Sequence, residues 1–109
     1  MINFSDFEKI EMRVGKITDV QDFHEARNPS YKIKVDFGET IGVKKSCVQA
    51  TNYPKKELIG KQVVCVVNFP PKQIANALSE VLILGVSTDK KGTALLTPDM
   101  EAVLGTRVF

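Results

Sequence analysis

At 109 residues with a net charge of +2, 43% hydrophobic and 26% charged residues, the chain has the length of one domain and a globular rather than a disordered composition. It lacks an apolar run long enough for a membrane helix and lacks a signal-peptide pattern, which predicts a cytoplasmic protein with no membrane insertion. The slight excess of base permits a basic patch without demanding one, and two cysteines, Cys47 and Cys65, are too few and too far apart for a zinc motif.

Ser5 is followed three residues later by Glu8, and Phe7 and Ile10 lie a helical step apart, which predicts a short helix over 6–10. Residues 12–23 read as a first strand, with Gly15 suggesting a bulge or tight bend inside it. A polar loop over 24–30 follows, with Asn28-Pro29 as its turn and His24 as a solvated side chain. The clearest periodicity is in 31–37. Tyr31, Ile33, Val35 and Phe37 fall on one face and Lys32, Lys34 and Asp36 on the other, the pattern of a half-buried strand. Gly38-Glu39 then turns the chain into 41–48, so a hairpin is predicted.

Pro54 opens a short helix through Ile59, at the position where proline is best tolerated, and Gly60 is placed to cap its end. Residues 62–69 are apolar on both faces, which predicts a strand covered on both sides. Pro70-Pro71 forbids its regular continuation. A basic loop with Lys72 and Gln73 leads through Ser79-Glu80 into a second apolar run, 81–86. A turn at 89–92, a last core strand at 93–97 and a tail from Pro98, with one more short strand near 106–109, complete the chain. The order β-β-β-α-β-β predicts an all-β protein, an OB-fold five-stranded Greek-key barrel over 12–97 with an N-terminal helix and a C-terminal extension over 98–109.

The sequence contains no nucleophile elbow, phosphate-binding loop or dinucleotide motif, so a non-enzymatic binding protein without a cofactor is predicted. The basic residues are better placed. Lys32 and Lys34 share an exposed face, one of Lys44 and Lys45 must point outward beside them, and Lys72 lies on the loop after the fourth strand. A groove lined by these lysines would attract phosphates and release counterions; an ordinary solvated face is the plainer alternative for each. Gln73, Asn68 and Ser79 are candidate donors to ribose or to an unpaired base. Tyr31, Phe37 and Phe69 fall at core-facing or strand-end positions, which favours polar groups over stacked rings for holding bases. The apolar excess of 62–69 and 81–86 points to a second possibility, an apolar peptide-binding groove or a subunit contact.

Several segments in a fixed order match a known pattern: Asp6-Phe7, Arg13-Val14-Gly15-Lys16-Ile17, Val35-Asp36-Phe37-Gly38, Glu57-Leu58-Ile59-Gly60-Lys61, Val67-Asn68-Phe69-Pro70-Pro71-Lys72 and Ser79-Glu80. In these the chain resembles the tRNA-binding domain found at the C-terminus of some methionyl-tRNA synthetases, and within that family the free-standing secretion-chaperone branch. The resemblance implies an OB-fold barrel, a homodimer, tRNA as a partner, and a role in holding unfolded or export-destined polypeptides. The chain departs from the family in having Asn76 where glycine is common, and in a less basic loop at Pro70-Pro71-Lys72-Gln73.

Overall fold

The computed structural model describes every residue, Met1–Phe109. Helix α1 (Phe4–Glu8) precedes strands β1 (Met12–Asp22), β2 (Tyr31–Asp36) and β3 (Val43–Val48). Helix α2 (Lys55–Leu58) then leads to β4 (Gln62–Val66), β5 (Lys72–Ile74), β6 (Ala77–Ser79), β7 (Leu82–Ile83), β8 (Gly85–Ser87) and β9 (Thr93–Leu95). Five strands form one antiparallel sheet in the order β3-β2-β1-β4-β7. The long strand β1 is its spine: its second half pairs with β2 and its first half with β4. The alternation of β2 buries Tyr31, Ile33 and Val35 with Phe37 just beyond the strand, and these pack with Ile17, Val63, Cys65 and Ile83 in one core. No helix is long and apolar enough to cross a membrane.

The sheet curls until β3 approaches the segment before β7, and this seam is closed by an irregular ladder. The buried Ser46 hydroxyl donates to the Val81 carbonyl at 2.7 Å. The Glu80 amide donates to the Lys45 carbonyl at 2.8 Å, and the Lys45 amide donates back to the Glu80 carboxylate at 3.0 Å. With five strands in one sheet and this closure, the architecture is the OB-fold barrel read from the sequence.

Four local predictions are corrected. The helix lies at Phe4–Glu8 rather than 6–10, because Asn3 and Asp6 form the cap: the Asn3 amide donates to Asp6 Oδ2 at 2.9 Å. The β1 bulge falls between Ile17 and Asp19, and Gly15 is instead a point of close approach to Val35 and Phe37. The predicted loop after Pro70-Pro71 is the hairpin β5–β6. The run 81–86 is not one strand: β7 pairs with β4, while β8 turns away to pair with β9. The C-terminal tail joins the first half of β1, where the Gly105 amide donates to the Val14 carbonyl at 2.8 Å and the Val14 amide donates to the Thr106 carbonyl at 3.0 Å.

The β5–β6 hairpin turns through Ala75-Asn76, with Ala75 at φ 49°, in the left-handed region. A β-carbon there costs about 1–2 kcal/mol. Ala75→Gly removes that strain and returns part of it as unfolded-chain entropy. The expected net gain is about 0.5–1 kcal/mol, measured as a higher urea midpoint; a lower midpoint would contradict it.

Candidate nucleic-acid interface

The outer face of the three-stranded meander carries two cross-strand rows. Asp19 on β1 stands opposite Lys34 on β2, which stands opposite Lys45 on β3. In the next row Gln21 faces Lys32, and Lys32 faces Cys47. The β5–β6 hairpin overhangs these rows with Gln73, Asn76 and Leu78 and converts the face into a groove of about 400 Å³.

The charge in the groove is unbalanced. Three ammonium groups meet one carboxylate, Asp19, which accepts a hydrogen bond from Gln21 Nε2 at 3.1 Å. Lys34 and Lys45 are directly opposed across an antiparallel pair, and neither is in an ion pair. Like charges in that relation destabilise the sheet, so an anion between them is favoured. Lys32 is positioned differently, with its ammonium 5.6 Å from the centroid of the Phe23 ring. Leu78 is partly exposed on the hairpin, and side-chain amides at Gln21, Gln73 and Asn76 surround the apolar surface. Cationic groups beside an apolar floor edged with amides suit a phosphate chain bearing an unstacked base.

Of the residues singled out in the sequence, the structure brings Lys32, Lys34, Lys45 and Gln73 together. It does not bring in the others. Lys44 pairs with Val35 and shares the side of β3 that carries the buried Ser46, opposite to Lys45. Lys72 alternates with Gln73 along β5 and lines a separate cleft with Phe69, Ser79 and Glu80. Ser79 belongs to the barrel seam, where its hydroxyl accepts from the Cys47 amide at 3.3 Å. Asn68 is a clamp: its Oδ1 accepts from the Glu11 amide at 3.0 Å and its Nδ2 donates to the Lys9 carbonyl at 2.8 Å, fixing the passage from α1 into β1.

Tyr31 and Phe37 are core residues as predicted, but Phe69 is 52% exposed, because β4 stops at Val66 and leaves the ring beyond the sheet. Cys65 is buried and its thiol is pushed up to about 12 by burial. Cys47 is only partly buried and borders the groove; burial raises its pKa too. The sequence reading missed Asp19, Gln21 and Asn76. The first two were accessible to it as outward positions of β1, had the bulge been placed after Ile17 rather than at Gly15.

The model of the family described as "Putative tRNA binding domain" matches residues 12–107. The crystal structure of the CsaA chaperone protein from Picrophilus torridus is similar over 100% of both chains, with 54% sequence identity and a TM-score of 0.94. That of the chaperone CsaA from Bacillus anthracis str. Ames matches 100% of this chain and 99% of its own, with 44% identity and a TM-score of 0.92. The methionine–tRNA ligase of Nanoarchaeum equitans is 43% identical over 110 residues, which are 99% of this chain but only 14% of the ligase. The chain thus spans about a seventh of the curated ligases that it matches.

Proposed function

The chain belongs to the tRNA-binding domain family, in its CsaA-type branch, and from this we propose that it is a non-catalytic, cytoplasmic tRNA-binding protein that works as a homodimer. The observation that carries the reading is the unpaired opposition of Lys34 and Lys45 in a groove shared with Lys32. The three ammonium groups hold consecutive backbone phosphates, and the amides of Gln21 and Gln73 hydrogen-bond a base lying against Leu78. Lys72, with Phe69 exposed in the neighbouring cleft, takes an adjacent nucleotide. Asn68 and Ser79 keep the scaffold in place, and Lys44 stands apart. Recognition is of backbone charge and unstacked bases rather than of a duplex sequence.

The test is the binding of bulk tRNA to the purified protein as salt is raised. Three phosphate contacts predict that log K falls with log salt with a slope of roughly −2 to −3. Absence of binding at low salt would refute the reading.

Dimerisation is supported by apolar side chains that the single chain leaves uncovered. Helix α1 buries none of its residues, and Ile2, Phe4, Val103 and Phe109 are all more than two-thirds exposed. The tail is tied to the helix through Arg107 Nη2, which donates to the Glu8 carbonyl at 2.6 Å, so both termini contribute to one face for a second copy. Light scattering at twice the chain mass is expected; a monomer at micromolar concentration would contradict it.

A second activity is favoured by a different surface. Leu82, Val86 and Leu96 are exposed on and just after the short strands β7–β9. Together with the chaperone neighbours, this supports the holding of unfolded or export-destined polypeptides on a strip that meets the lysines only where Leu82 borders the Lys72 cleft. Such binding resists salt, which distinguishes it from the RNA contact.

A further inference from the structure

The β5–β6 hairpin pairs only with itself and reaches over the groove, yet its tip is anchored. Asn76 Nδ2 donates to Glu25 Oε2 at 3.2 Å, joining the tip to the loop between β1 and β2. The Glu25 carboxyl is held below the usual carboxylate range, first by its own backbone amide, then by Asn76, with Lys32 and His24 adding attraction. It is therefore an anion near neutral pH. Of the groove-lining residues, Asn76 is its hydrogen-bond donor, while Lys32 attracts it through space without forming an ion pair; a phosphate would draw on the same donor and cation. The tip is also strained, since Ala75 adopts φ 49° in the turn that presents Asn76. Strain of this kind persists where the surroundings hold the chain in place.

We propose that the Glu25 carboxylate is a built-in substitute for a phosphodiester at the mouth of the groove, engaging Asn76 in the field of Lys32 until an RNA phosphate displaces it. The inference rests on the tRNA-binding reading above. It adds a residue that opposes binding: Glu25 screens Lys32 from stray monovalent anions and pins the hairpin over the empty groove. A polyanion that also engages Lys34 and Lys45 gains enough to expel the carboxylate and release the tip. RNA is thereby favoured over isolated phosphate, because only the longer ligand reaches the lysines that Glu25 does not screen.

The experiment compares wild type, Glu25→Gln and Asn76→Ala in the tRNA salt titration, with amide hydrogen exchange of residues 72–79 measured without RNA. Glu25→Gln is expected to tighten tRNA binding by about two- to five-fold, the scale of one exposed charge contact. The salt slope should stay close to that of wild type, because the same three lysines meet phosphate in both proteins. Asn76→Ala is expected to speed exchange across the hairpin several-fold. Unchanged or weaker tRNA binding by Glu25→Gln, with wild type binding normally, overturns the inference and leaves the tRNA reading standing. Unaltered exchange in Asn76→Ala overturns the anchoring role of the contact. Failure of both wild type and Glu25→Gln to bind tRNA overturns the two readings together.

Discussion

Replacing Lys32, Lys34 and Lys45 together with alanine should reduce affinity for bulk tRNA about a hundred-fold near 0.1 M salt and flatten the salt slope by roughly 2. The size of the effect follows from the register. Lys34 and Lys45 are cross-strand partners, Lys32 stands one row away, and all three line one groove. Each lost contact also removes released counterions, so slope and affinity fall together. Lys44→Ala is the matched control: it lies on the same strand and carries the same charge, but on the opposite side. Its affinity should stay within about two-fold of wild type, the residual effect of a screened distant charge. The triple variant should be no less stable than wild type, since removing the opposed pair relieves repulsion in the free protein. Equal losses from the control and the triple variant would mean that net charge, not the groove, sets binding.

The second large effect concerns the barrel. A β-carbon on Gly15 would stand 2.4 Å from Val35 Cγ1 and 2.8 Å from Phe37 Cε1. Neither neighbour can yield, because Val35 and Phe37 are 0% and 1% exposed and are packed in the main core. Gly15→Ala should therefore cost about 2–3 kcal/mol, at the upper end of ordinary overpacking. Because β2 is displaced with its core side chains, the lysine rows on its outer face should shift too, and tRNA binding should weaken even where the variant is folded. Urea denaturation checks the first part and the binding titration the second. A loss under about 0.5 kcal/mol would show that β1 and β2 separate easily at this point.

The parts of the fold that were legible in the sequence are those encoded in short-range periodicity. Alternation in 31–37 identifies β2, its buried face and the outward Lys32 and Lys34. Pro54 and Gly60 bracket the helical segment between the third and fourth strands. What stayed hidden depends on partners distant in sequence. Strand β3 offers Lys44 and Lys45 in succession, and only the pairing of Ser46 with Ile33 decides which lysine faces outward. Asn68 and Ser79 look like free donors until the folded chain brings Glu11 and Cys47 to them. The β5–β6 hairpin lacks the usual signal because its turn is Ala75-Asn76, with the left-handed residue an alanine rather than glycine or asparagine. Strands of three residues are also too short to establish an alternation.

Glu25 was invisible for a related reason. In the sequence it is one charge in a polar loop; its meaning comes from Asn76, 51 positions away. The same geometry separates the two proposed activities, with cationic groups on the meander and apolar ones on β7–β9 and at the termini.

The most direct test of the central claim is chemical-shift mapping of bulk tRNA onto the isotope-labelled protein at low salt. The account predicts that perturbed amides cluster at residues 19–21, 32–34, 45–47 and 69–79, with residues 84–96 quiet. Perturbations confined to 84–96 and the termini, or none at all, would contradict the assignment of the lysine groove as the RNA interface.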